Sequence, residues 1–368
     1  MAKFDLVFEG GGAKGVAFIG ALGAFYDAGH QAARVVGTSA GAITATLLAA
    51  GLQPTAMKAA LTEVDAKGKP RFATFLDPPA GAELDAYLEK WDISRFMPGA
   101  GMGANPLEKL ARNTMKNMLK SNEAAACGFS FLERGGVYAG HAFLVWLKEQ
   151  LGKAGVNPES TFAQLHAERK CDLSLVATDT TAAEMLVLNH RTAPQLPVAM
   201  GVRMSMSIPF LWTEVIWESK WGLYRGRTGD RAIEGHAIVD GGVLSNFPLH
   251  LVAEDSPRVK EVMGVEADAA AAGTLGLLID ESLEVEGVSP RGRRLQLPAT
   301  ERVMRLYDTV TCAHDRVTME RYADLICHLP AKHFDTLEFG ATEARLQAMV
   351  DGGRKAMEAY LAKRKLSE

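Results

Sequence analysis

The sequence has little of what would mark a disulfide scaffold, a zinc protein, a nucleic-acid binder or a membrane span. Its four cysteines, at 127, 171, 312 and 327, form no C-x-x-C pair and no zinc spacing. A chain of 368 residues does not need disulfide staples, so reduced thiols are expected and no metal site is. Charge is nearly balanced at −4, without a strongly basic field, which removes support for nucleic acid as a partner. Residues 35–57 carry no charge for 23 positions, enough for the length rule of a span. The run is nevertheless broken by Gly37, Thr38, Ser39, Gly41, Thr44, Thr46, Gly51, Gln53 and Pro54, which excludes one. The first strand starts almost at Met1 and leaves no room for a cleavable signal peptide, so a cytoplasmic location is expected, with export by a route lacking such a signal still open. With 48% hydrophobic residues and no linker or repeat, residues 1–368 read as one large α/β domain.

What the sequence does have is three glycine-rich corners. In Gly37-Thr38-Ser39-Ala40-Gly41, Ser39 follows the buried strand end Arg34-Val35-Val36 and precedes a helix from Ala40 to Ala50. Flanking glycines permit a strained strand-turn-helix corner with Oγ exposed, and the helix start beneath it favours developing negative charge. Upstream, Gly10-Gly11-Gly12-Ala13-Lys14-Gly15 follows the strand Phe4 to Phe8 and precedes a helical run from Val16 to Ala28. Consecutive glycines at a helix start converge N–H groups on an anion. The third corner is Asp240-Gly241-Gly242, after the short strand Ala237-Ile238-Val239.

The upstream loop is not a P-loop, because Gly15 is followed by Val16 and Ala17 in place of Lys and Ser or Thr. Gly10, Gly12 and Gly15 satisfy the dinucleotide spacing G-x-G-x-x-G, but Gly37-Thr38-Ser39 stands where the ribose-binding acid belongs. An oxyanion hole explains both corners with one reaction, in which Ser39 attacks an ester carbonyl and loop N–H groups hold the oxyanion. Asp240 is the candidate base, brought to Ser39 if both strands end at the carboxyl edge of a parallel sheet. An ordinary aspartate, near ~3.9, is a weak base and needs burial to strengthen it. His236 and His250 flank Asp240 in sequence and are the alternative bases.

These three corners, in this order, resemble the patatin-like phospholipases, lipid acyl hydrolases with a Ser-Asp dyad. Arg203 to Pro209, Val243 to Pro248 and the start Phe8-Glu9-Gly10-Gly11-Gly12 are similar to that family too, the last especially to patatin domains of secreted bacterial effectors. The resemblance implies a three-layer α/β/α fold with a mainly parallel sheet, Ser39 as nucleophile and Asp240 as base. It implies backbone donors at Gly10, Gly11 and Gly12, and Lys14 meeting the lipid phosphate. The substrate would be a phospholipid or lysophospholipid, with peripheral membrane contact, no cofactor and no metal. An acyltransferase using the same acyl-enzyme is the alternative, and an activating partner or signalling nucleotide stays open.

Residues 68–135 have a different texture and read as a helical lid or insertion over the active edge. Pro78-Pro79 is followed by Gly99, Gly101, Met102 and Gly103, then by a helix from Pro106 to Leu119 bearing Leu107, Leu110, Met115, Met118 and Leu119. Trp212, Trp217 and Trp221, near Lys220, Arg225 and Arg227, suggest a surface resting on a bilayer. Further buried elements are expected at Val262 to Val265 and Leu275 to Ile279, a long helix at Pro298 to Val317, and a terminal helix from Ala341 to Lys363 with a basic end at Lys363, Arg364 and Lys365.

Overall fold

A computed structural model describes residues 2–65, 68–91, 106–226, 229–264, 271–290 and 298–364. The expected features at Gly99, Gly101, Met102, Gly103, Arg227, Val265 and Lys365 lie outside these residues. The elements begin with β1 (Lys3–Phe8), α1 (Ala17–Asp27), β2 (Gln31–Thr38), α2 (Ala40–Ala49), α3 (Pro54–Leu61), α4 (Gly81–Lys90), α5 (Pro106–Ser121) and α6 (Glu123–Arg134). They continue with β3 (Gly136–Tyr138), α7 (His141–Lys153), α8 (Phe162–Arg169), β4 (Asp172–Asp179), β5 (Glu184–Leu188), α9 (Val198–Ser205), β6 (Phe210–Trp212), β7 (Val215–Ile216), β8 (Tyr224–Gly226) and β9 (Gly229–Arg231). Last come β10 (Ala237–Asp240), α10 (His250–Ala253), α11 (Pro257–Met263), β11 (Ala271–Asp280), α12 (Pro298–Arg321), β12 (Ile326–Pro330) and α13 (Glu343–Arg364). The described residues fall into two units, one of Met1–Ala73, Phe143–Ser207 and Val215–Glu368, the other of Thr74–Ala142 and Ile208–Glu214.

The first unit is built on a sheet in the order β12-β11-β1-β2-β4-β10-β7, with β5 also paired to β4. The pairs from β12 through β4 are parallel, whereas β5, β10 and β7 join antiparallel. Successive side chains on a strand face opposite sides. Val7, Val36 and Val176 therefore pack on one side with Phe247, Leu249, Val259, Met263 and Leu278, backed by Met319 of α12. On the other, Phe8 meets Phe18 of α1 edge to face at 5.4 Å between ring centres. Both faces are covered by helices, which is why β1 is buried from Phe4 to Phe8.

The antiparallel β10 corrects the expectation that Ser39 and Asp240 meet as two carboxyl ends of a parallel sheet. Each residue of a strand has two edges, and on β4 one edge is taken by β5 at Leu175 to Asp179. The opposite edge is then shared, β2 taking Asp172 to Val176 and β10 taking Ala177 to Asp179. The two strands consequently approach end to end. Thr38 registers with Val176, and Asp240 with the next residue, Ala177.

In the second unit, Leu119 of α5 is buried with Leu84, Leu88, Trp91 and Ala126, and Met115 packs against them. Leu110 and Met118, by contrast, point outward. A two-stranded parallel pair, β3 with β6, closes this unit.

The helix after Ser39 sits very close to β1. A Cβ placed on Gly41 would lie 2.3 Å from the Phe8 carbonyl oxygen, and one on Gly37 would lie 2.3 Å from the Gly41 carbonyl oxygen. Neither backbone atom can yield as a flexible side chain would. Gly41→Ala is expected to cost about 1–3 kcal/mol, as overpacking does, read as a lower urea midpoint. An unchanged midpoint would contradict the close approach of α2 to β1.

Candidate active site

Ser39 stands at the N-terminus of α2 with φ 53° and ψ −118°. A non-glycine residue at positive φ stores strain, of order 1–3 kcal/mol, and persists only where its surroundings hold it. One of the groups holding it is Ser205 at the end of α9. Its Oγ accepts from the Ser39 N–H at 3.0 Å and donates to the Val176 carbonyl at 2.6 Å. Ser39 is 5% exposed.

Asp240 ends β10 and is fully buried. Its N–H donates to the Ser207 carbonyl at 2.9 Å, and its Oδ1 accepts from the Gly242 N–H at 2.7 Å. The end-to-end meeting of β2 and β10 brings it beside Ser39, which directly follows Thr38. His236 lies four residues back along the same chain, about 13 Å away at strand rise, and its Nδ1 is 2.7 Å from Asp179 Oδ2. His250 begins α10. The strand register thus brings Asp240, and not His236, to the serine corner.

The glycine loop lies against both. A Cβ on Gly10 would be 3.1 Å from Ser39 Cβ. Gly12, at φ +55°, takes a conformation that favours glycine, and its neighbour Ala13 donates to the Thr336 carbonyl at 2.9 Å. The expected trio of oxyanion donors needs correction at Gly10, whose N–H is committed to the Asn246 carbonyl at 2.9 Å. Among the described residues no acceptor engages the N–H of Gly11 or Gly12, and both positions are partly exposed. Lys14 also departs from expectation. Its side chain is buried and ion-paired with the exposed Glu281, so a phosphate would have to displace that carboxylate to reach it.

Glu9 lies beneath the loop, its Oε2 accepting from the Ile279 N–H at 2.6 Å and its Oε1 from Asn246 Nδ2 at 3.2 Å. Loss of hydration pushes this carboxyl up to about 8, helped by the charge of Asp315 and opposed by the Ile279 N–H, by Lys14 and by Asn246. Sequence reasoning assigned no role to Glu9, Ser205 or Asn246, although all three fall in the segments that carry the resemblance. It passed over Asp315 altogether, one of several acidic residues along α12 and part of no motif.

The tryptophans are not a membrane surface. Trp212, Trp217 and Trp221 are all buried, and two of them spend their indole N–H on backbone carbonyls: Trp212 on Phe75 at 3.1 Å and Trp217 on Gly222 at 3.1 Å. A polar handle satisfied inside the protein leaves nothing to anchor in headgroups.

Among known proteins, the family model for patatin-like phospholipases matches residues 6–253. The uncharacterized protein YqhO of Bacillus subtilis is 28% identical over 364 residues, covering 97% of each chain. VipD from Legionella pneumophila shows remote likeness in structure, with TM-score 0.45 and 18% identity over 98% of this chain and 67% of its own. The type III effector ExoU gives TM-score 0.44 and 16% identity over 99% of this chain and 54% of its own.

A glutamate in the unfolded chain loses its proton near 4.5, whereas Glu9 in the fold keeps it to about 8. Between those values the unfolded chain binds fewer protons than the folded one. Its contribution to stability is therefore greatest below about 4.5, falls as pH rises through the window, and is lost above about 8. The thermal midpoint should drop more steeply from about pH 5 to about pH 9 in the wild type than in Glu9→Gln, which keeps the neutral shape throughout. Equal slopes would contradict the assignment.

Proposed function

The chain belongs to the patatin-like phospholipase family, and on that premise we propose that it cleaves fatty-acyl esters of phospholipids or lysophospholipids through a Ser39–Asp240 dyad. The observation that carries this is the meeting of β2 and β10 on one edge of β4, with Thr38 and Asp240 registered to adjacent residues. In the first step Asp240 takes the Oγ proton as Ser39 attacks the carbonyl. The Gly11 and Gly12 N–H groups stabilise the oxyanion, assisted by the N-terminus of α2. Collapse of the intermediate breaks the ester bond, and Asp240 passes the proton to the leaving alcohol, giving an acyl-serine. Water then attacks that ester, Asp240 accepts its proton and returns it to Oγ, and the fatty acid leaves.

Transfer of the same acyl group to an alcohol in place of water is the alternative, and glycerol or a lysolipid as competing acceptor separates the two by product. The dinucleotide reading of Gly10, Gly12 and Gly15 is set aside by family membership, and NAD binding would reopen it. The burial of both Ser39 and Asp240 favours a second feature, low basal activity relieved by a membrane, an activating partner or a signalling nucleotide.

Substrates of this class lie in bilayers, so peripheral membrane contact is part of the proposal. Among the described residues no helix is long and apolar enough to cross a membrane. The second unit does present Phe131, Leu132 and Phe210 to solvent, with Leu132 80% exposed and the two phenylalanine rings 6.1 Å apart. Phe210 sits at φ +68°, a strained backbone that holds an apolar ring outward. We assign this patch to lipid contact, and with it the lid role of residues 68–135. Free thiols at Cys127, Cys171 and Cys327 fit a reducing, cytoplasmic setting.

Release of free fatty acid from mixed phospholipid vesicles, with and without cell extract, tests the reaction. Ser39→Ala should abolish it and Asp240→Asn should lower turnover at least about 10²-fold, in line with general-base contributions. Release that is absent in the wild type under both conditions overturns the hydrolase, and an active Asp240→Asn overturns the dyad. Separately, Leu132→Glu combined with Phe131→Glu should weaken co-sedimentation with vesicles, with a smaller effect on a soluble short-chain ester; undiminished vesicle binding would remove the patch from the account.

A further inference from the structure

Helix α12 lies wholly outside the residues matched by the family model, 6–253, yet it sends a buried carboxylate into the site. Asp315 is 3% exposed. A carboxylate is kept in such a place only when hydrogen bonds replace its water. Its Oδ1 accepts from Ser245 Oγ at 3.0 Å and its Oδ2 from the Phe247 N–H at 2.7 Å. The carboxylate therefore straddles Asn246, holding the residue on either side of it.

Asn246 grips Gly10 at both of its backbone groups. Its carbonyl accepts from the Gly10 N–H at 2.9 Å, and its Nδ2 donates to the Gly10 carbonyl at 3.1 Å as well as to Glu9 Oε1. Ser245 ties the same segment to the other two corners. Its N–H donates to the Gly241 carbonyl at 2.8 Å, directly after Asp240, and its carbonyl accepts from Thr38 Oγ1 at 3.1 Å, directly before Ser39. Three turns far apart in sequence thus meet at residues 245–247, and the Asp315 carboxylate ties those residues to the helix.

We propose that Asp315 is a positioning residue for the reaction, setting the Ser245-Asn246-Phe247 segment so that Asn246 holds Gly10 and keeps the Gly11 and Gly12 N–H groups against the acyl oxygen. It touches no substrate. The inference rests on the hydrolase reading for its kinetic consequence but not for its structural one, so two readouts are used on the full chain.

The first readout is turnover of a soluble short-chain ester. Asp315→Leu, close in shape and unable to accept a hydrogen bond, should lower kcat about 10²-fold, comparable to losing one oxyanion donor, with KM changed less than about threefold. Asp315→Asn should recover most of that loss, because its carbonyl can accept from Phe247 N–H while its amide donates to Ser245 Oγ, a hydroxyl able to accept. Combining Asp315→Leu with Asn246→Ala should cost little more than the worse single change, since both act through one segment. Met319→Ala is the control for damage to the helix itself, because Met319 packs on the core from α12; it should lower stability and leave kcat near wild type.

The second readout is amide hydrogen exchange, which needs no activity. Peptides covering residues 8–14 should exchange faster in Asp315→Leu and not in Met319→Ala. Unchanged exchange in Asp315→Leu, or kcat falling equally in Met319→Ala, overturns the positioning role. A wild type that turns over no ester refutes the hydrolase reading, and the exchange result then decides the clamp alone.

Discussion

A strand residue has two edges and can pair once on each, and this limit on β4 organises the site. With β5 along one edge, β2 and β10 divide the other, and their ends converge where β2 turns into α2. Neither strand can be extended without colliding with its counterpart. The convergence brings a serine at positive φ and a fully buried aspartate to the same place. The proposed chemistry would thus be a consequence of how one strand shares its hydrogen-bonding capacity.

Convergence alone does not fix side chains to within the fractions of an ångström that catalysis requires, and here the polar interior matters. Ser205 pins the Ser39 N–H, Asn246 holds Gly10, and Asp315 holds the segment containing Asn246. Buried polar groups are costly unless bonded, so a network with satisfied members is stiff and a broken one is expensive. Several of its supports come from beyond residue 253: Asp315 on α12, the Ile279 N–H on Glu9, and the Thr336 carbonyl under the glycine loop. The C-terminal third is therefore bonded directly to the candidate site and is not an appendage.

The local parts of this arrangement were legible in the sequence, because they depend on neighbours in the chain. Gly37 and Gly41 report their own steric need, and the strand-helix alternation around them yields β1, α1, α2 and the end of β2 within a residue or two. The long helices α12 and α13 were likewise visible from length and apolar content, though α12 runs on to Arg321. What failed depends on distant partners. The direction of the four-residue β10 is set by β4, and nothing within Ala237 to Asp240 encodes it. Lys14 reads as a free cation until Glu281 is beside it, Gly10 reads as a free donor until Asn246 is opposite, and Trp212 and Trp217 read as interfacial until the carbonyls of Phe75 and Gly222 accept their N–H groups. Asp315 carries no local signal at all.

The central claim is that Ser39 is an activated nucleophile, and the most direct test is covalent. The full-length protein is treated with an alkyl fluorophosphonate, with and without cell extract, and its peptides are mapped by mass spectrometry. A single phosphonyl adduct on Ser39, forming more slowly in Asp240→Asn, is the predicted result. An adduct on another serine, or none under either condition, would contradict the account.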